Sequence, residues 1–104
     1  MRMTNENVIR QFLGNAIGES HTGNLVSENN KLLNYNTCLA QWICINPEAP
    51  YGEQRYKLFV NVTKYSVTTS KIQSKLKYLA GAYEAVEAVP IGSYDLSRYA
   101  MANI

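Results

Sequence analysis

The sequence predicts an α+β fold, a small single-domain antiparallel sheet with two or three helices packed on one side. Three observations carry that expectation. The chain has 104 residues of which 46% are hydrophobic, enough for one modest core and too few for two. Its middle alternates apolar and polar residues with the period of strands. Flanking segments carry apolar residues at helical spacing instead.

Taken in order, residues 5–17 read as an amphipathic helix. Val8, Ile9, Phe12, Leu13, Ala16 and Ile17 line one stripe, and Thr4 or Asn5 caps the start. Gly14 costs about 1 kcal/mol relative to alanine and offers an earlier end. Gly18–Asn24 is a loop by composition. Leu25-Val26 and Leu32-Leu33 flank Glu28-Asn29-Asn30-Lys31, a hairpin signal because asparagine tolerates positive φ. Residues 35–45 are the central-strand candidate; regular extension puts Cys38, Ala40, Trp42 and Cys44 on one face and Leu39, Ile43 and Ile45 on the other.

Two prolines and a glycine break that strand between Asn46 and Gly52, giving an irregular hairpin tip expected to be mobile. Residues 54–63 resume the alternation, with Tyr56, Leu58, Val60 and Val62 sharing a face. A second helix is expected from Ser70 to about Ala80, because Ser70-x-x-Gln73 matches a capping box and Ile72, Leu76 and Leu79 form its stripe. Tyr83–Val89 fits either a helix or a final strand between Gly81 and Pro90. Residues 93–101 read as a short helix begun by Ser93, with Leu96, Tyr99 and Ala100 inward. One domain over 1–104 follows: an N-terminal helix and loop over 1–23, a sheet-plus-helix core over 24–89, and a C-terminal short helix over 90–104.

Charge is uneven beneath a net +2. Residues 1–53 sum to −2, and residues 84–104 also sum to −2. Between them, 54–83 holds Arg55, Lys57, Lys64, Lys71, Lys75 and Lys77 with no acid, a net +6. Such a window suits phosphate, an acidic protein surface, or plain solvation of a small domain.

Catalytic chemistry finds little to work with. His21 is the one histidine and Asp95 the one aspartate, so a Ser–His–Asp system would need both, and no nucleophile elbow is present. Glu84 and Glu87 read as surface charges. Metal binding and cofactor binding are not expected: Cys38 and Cys44 are too few for a four-ligand zinc site, and the glycines match no phosphate-binding fingerprint. On one regular strand the two cysteines stand roughly 20 Å apart, so they are expected as core residues and not as a disulfide. The expectation is a protein without enzymatic activity.

The informative stretch runs from Asn61 to Gln73. It packs hydroxyls at Thr63, Ser66, Thr68, Thr69 and Ser70 with the Tyr65 phenol, and Lys64 and Lys71 are nearby. A helix start flanked by lysines favours an anion. Lys75 lies one turn beyond Lys71. The candidate binding residues are therefore Lys57, Lys64, Tyr65, Ser66, Thr68, Thr69, Ser70, Lys71, Gln73 and Lys75. Capping and a hydrogen-bonded turn are the alternative use of the same hydroxyls.

The pattern Leu33-x-Tyr35-x-Thr37-x-Leu39-Ala40, then Asn61-x-Thr63-x-Tyr65-Ser66-x-Thr68-Thr69-Ser70-x-x-Gln73, resembles a group of small uncharacterised proteins encoded by phages and plasmids. It covers roughly residues 24–80 and brings no catalytic residues with it. The resemblance implies a bacterial host cytoplasm and action by stoichiometric binding. The leading expectation is a counter-defence inhibitor, anti-CRISPR-like, of a host protein such as a defence nuclease complex. The eight tyrosines suit a protein interface. The alternative is a nucleic-acid or anionic nucleotide binder using the lysine and hydroxyl strip, with Tyr65 or Tyr78 stacking on bases; a third is a minor virion assembly protein. No membrane association is expected, since no apolar stretch approaches the roughly 20 residues of a span.

Overall fold

The computed structural model describes residues 2–91 and 96–103, without the side chains of 101 and 103. It is an α+β domain built on a mostly antiparallel sheet. The strands are β1 (Arg2–Met3), β2 (Gly18–Ser20), β3 (Leu25–Glu28), β4 (Lys31–Asn34), β5 (Thr37–Cys44), β6 (Tyr56–Asn61) and β7 (Ala85–Ala88), lying in the sheet in chain order. Helix α1 (Asn5–Leu13) joins β1 to β2, α2 (Val67–Leu79) and a 3-10 turn (Ala80–Ala82) join β6 to β7, and α3 (Ser97–Asn103) follows.

The end pairs β1–β2 and β6–β7 are parallel, and the pairs between them are antiparallel. Four reversals bring β6 back to the direction of β2. Both helical crossovers therefore step the same way across the sheet from strands of the same sense. Right-handed connection then puts α1 and α2 on one face, where they pack against each other. That layer buries Val8, Ile9 and Phe12 of α1 and Ile72 and Leu76 of α2 over Leu25, Leu32, Leu58 and Val60. A smaller cluster, Cys38, Phe59 and Ala88 with Leu96 and Ala100, covers the other face. Leu96 and α3 are held there by Gln41, whose Oε1 accepts from Leu96 N at 3.0 Å and whose Nε2 donates to Ser97 Oγ at 3.2 Å.

Several sequence expectations need correcting. Of the two ends the sequence offered, the first helix takes the earlier, at Gly14, and Asn15 turns the chain at φ 58°; Ile17, expected in the stripe, is exposed. Gly18–Ser20, expected as loop, is a strand because Arg2–Met3 pairs on one edge of it and β3 on the other. The Asn29-Asn30 hairpin forms as expected, both residues at positive φ (51° and 66°).

In β5 the register skips from Leu33↔Cys38 to Leu32↔Ala40, leaving Leu39 as a bulge. Leu39 and Ala40 thus both enter the main core, while Cys38 joins the opposite cluster. The expected face of Cys38, Ala40, Trp42 and Cys44 is broken at that point. Cys38 and Cys44 form no disulfide. The two readings left open for Tyr83–Val89 resolve to a strand at Ala85–Ala88, parallel to β6. The third helix starts at Ser97; Ser93, its expected cap, lies outside the described residues.

The 46–54 tip is tied down by side chains. Asn46 Oδ1 accepts from Arg55 N, Asn46 Nδ2 donates to Glu53 O at 3.2 Å, and Gln54 Nε2 donates to Pro47 O at 3.3 Å. No helix among the described residues is long and apolar enough to cross a membrane.

Candidate functional site

The site is the passage from β6 into α2 and the outward side of that helix. Strand β6 ends at Asn61, buried to 1% exposure. A lone amide this deep needs partners, and it has them: Nδ2 donates to Cys38 O at 2.9 Å and to the Tyr65 hydroxyl at 3.0 Å, while Oδ1 accepts from Thr63 N at 2.9 Å. The bulge at Leu39 ends the β5–β6 ladder at Ala40↔Val60, and Asn61 serves the Cys38 carbonyl just beyond that end.

Ser66 caps the helix. Its backbone is extended, and its Oγ accepts from Thr69 N at 3.3 Å and donates to Thr69 Oγ1 at 3.2 Å. Thr69 is buried and its hydroxyl donates onward to Asn34 Oδ1 at 2.8 Å. The expected start at Ser70 is therefore one turn late. Gln73 does not bond back to a Ser70 cap; its Nε2 donates to Asn61 O at 3.0 Å and Thr63 O at 2.9 Å, satisfying carbonyls released where the strand ends.

The ten candidate residues divide on this geometry. Ser66, Thr69, Gln73 and the Tyr65 hydroxyl are engaged by the protein itself. Lys64 is exposed on the link and lines none of the cavities described below. Lys57 sits in β6 one residue out of phase with Leu58 and Val60, on the strand side opposite α2, and does not join the others. Tyr65, Ser70, Lys71 and Lys75 do converge, lining an open groove of about 690 Å3. Thr68 lies with Lys71 and Lys75 on a smaller cleft of about 170 Å3 against Asn5 of α1.

Val67, Ser74, Tyr78 and Glu6 complete the groove. Val67, Lys71, Ser74, Lys75 and Tyr78 recur at the i, i+4, i+7, i+8, i+11 spacing of one helix side. A helix begun at Ser70 leaves Val67 outside the periodic side, whereas the start at Ser66 brings it in; Ser74 fell within either helix and lay one turn from Lys71 and Tyr78, a spacing that could have found it. Val67 is 74% and Tyr78 84% exposed, large fractions for apolar bodies on a helix. The outward side of α2 is thus two apolar ends around a cationic, hydroxyl-bearing middle. No acid lies on α2. Glu6, reaching in from α1, is paired with Arg10 at 3.3 Å, and Lys77 is turned away to Glu87 at 3.7 Å. Such a surface can take a partner with apolar contacts flanking a carboxylate or phosphate.

No family model matches the chain, and neither a curated protein nor a solved structure matches it.

Proposed function

We propose that the chain acts by stoichiometric binding, without catalysis, and that it docks an acidic host protein through the outward side of α2. The observation that supports this is the pairing of exposed Val67 and Tyr78 with Lys71 and Lys75 on one helix side. Apolar contact and aromatic area supply affinity while the lysines select an acidic counterpart. The resemblance to small phage- and plasmid-encoded proteins suggests the biological sense: an accessory protein in a bacterial cytoplasm, in the manner of a counter-defence inhibitor such as an anti-CRISPR. The test is recovery of a host partner by the wild-type chain and by a Lys71→Glu/Lys75→Glu variant. A loss of the partner with unchanged melting supports the reading; equal recovery by both removes this helix side from it.

A nucleic-acid reading draws on Tyr78 beside Lys75, a stacking surface next to a cation. Against it, the acid-free window does not form one ledge: Lys57 lies on another side, Lys77 is paired, and Glu6 lines the groove. With two lysines neutralising phosphate, log affinity for single strands falls with log salt at a slope of about −1.4. Absence of binding at low salt excludes it.

A further inference from the structure

We propose a second ligand site, distinct from the α2 groove, that takes a nucleoside monophosphate at the notch where β7 begins. Pairing of β7 starts at Leu58↔Ala85, so the first residues of β6, Tyr56 and Lys57, have no strand beside them on that edge. A cavity of about 320 Å3 opens there, lined by Trp42, Tyr56, Tyr83, Arg55, Lys57 and Glu84 among others. That volume is at the small end of ligand pockets, which run from roughly 300 Å3, and suits one nucleotide and not two.

The lining divides into a ring-binding and an anion-binding part. Trp42 and Tyr83 meet edge to face, centroids 5.8 Å apart at 76°, an arrangement that orients the tyrosine ring against a fixed partner. Trp42 itself is anchored by its Nε1 donating to Phe12 O at 3.0 Å. Tyr83 and Tyr56 are 43% and 53% exposed, leaving aromatic area for a base to stack on. Arg55 and Lys57 bring two cations from the acid-free window, and neither is in an ion pair among the described residues. A guanidinium and an ammonium together match a phosphate monoester. Against these two cations the cavity holds one acid, Glu84, so its lining keeps a net positive charge for a phosphate. AMP, a purine ring carrying one phosphate monoester, is the probe. This site also gives Lys57 and Arg55 a use that the α2 groove does not.

Trp42 is the single tryptophan and lines this cavity, so all tryptophan emission comes from its wall. Titrating AMP into the full chain is expected to give a saturable change in Trp42 fluorescence. Arg55→Ala and Lys57→Ala should each weaken apparent affinity about tenfold, the loss of one charge-assisted contact. Adenosine or inorganic phosphate alone should bind more weakly than AMP. Lys71→Glu/Lys75→Glu should leave the titration unchanged, which keeps this site separate from the proposed host-protein surface. The proposal is overturned if millimolar AMP leaves both Trp42 emission and the amide NMR spectrum around Tyr56 and Tyr83 unmoved. It is equally overturned if the Arg55→Ala/Lys57→Ala double variant, folded by circular dichroism, binds AMP as the wild type does.

Discussion

The two sides of α2 use similar residue types for opposite purposes. On the inner side, Thr69 and Gln73, with Asn61, Ser66 and Tyr65 beside them, spend their polar atoms on the protein's own backbone and side chains. On the outer side, Ser70, Lys71, Ser74 and Lys75 line a groove open to solvent. A dense run of hydroxyls is therefore not one site. Half of it builds the strand-to-helix corner, and the corner in turn aims the other half outward.

Breaking the inner side should have the largest effect. Asn61→Ala strands the Cys38 carbonyl, the Tyr65 hydroxyl and the Thr63 amide together, and is expected to cost about 3 kcal/mol in urea unfolding, given 1–3 kcal/mol for each unsatisfied buried group. Gln73→Ala removes donors from two carbonyls that lie nearer the surface. About 1.5 kcal/mol is expected by the same measurement.

The serines sharpen the comparison further. Ser66→Ala removes the cap and should cost about 1 kcal/mol. Ser70→Ala, within the first turn, should be near neutral or slightly stabilising, since alanine is the better helix former. The reverse ranking in thermal melts would restore a helix start at Ser70. Smallest of all, Lys71→Ala and Lys75→Ala should change stability by no more than about 0.5 kcal/mol, while weakening partner binding.

Much of the fold was legible because local chemistry decided it. Asn29-Asn30 accepts positive φ, and the alternation of Leu58, Phe59 and Val60 divides two cores as written. What escaped was set by distant parts of the chain. Strands of two and three residues, β1 and β2, carry no periodicity; β1 exists through β2, and β2 through β1 and β3 on its two edges. The bulge at Leu39 reverses the facing of β5 with no glycine or proline to announce it. Ser66 and Ser70 both suit a cap by type; the choice between them follows from Thr69 reaching Asn34 and Gln73 reaching the end of β6. Of the candidate site, Lys71 and Lys75 were legible as helix neighbours. The exclusion of Lys57 depends on strand parity, and the inclusion of Glu6 on the packing of α1 against α2.

The most direct measurement is photocrosslinking from the middle of the outer side. A benzophenone-bearing residue at exposed Ser74 is compared with one at exposed Glu28, in the β3–β4 hairpin. A covalent adduct with one host protein is expected from Ser74 and none from Glu28. An adduct with that protein from Glu28 alone would contradict docking through α2.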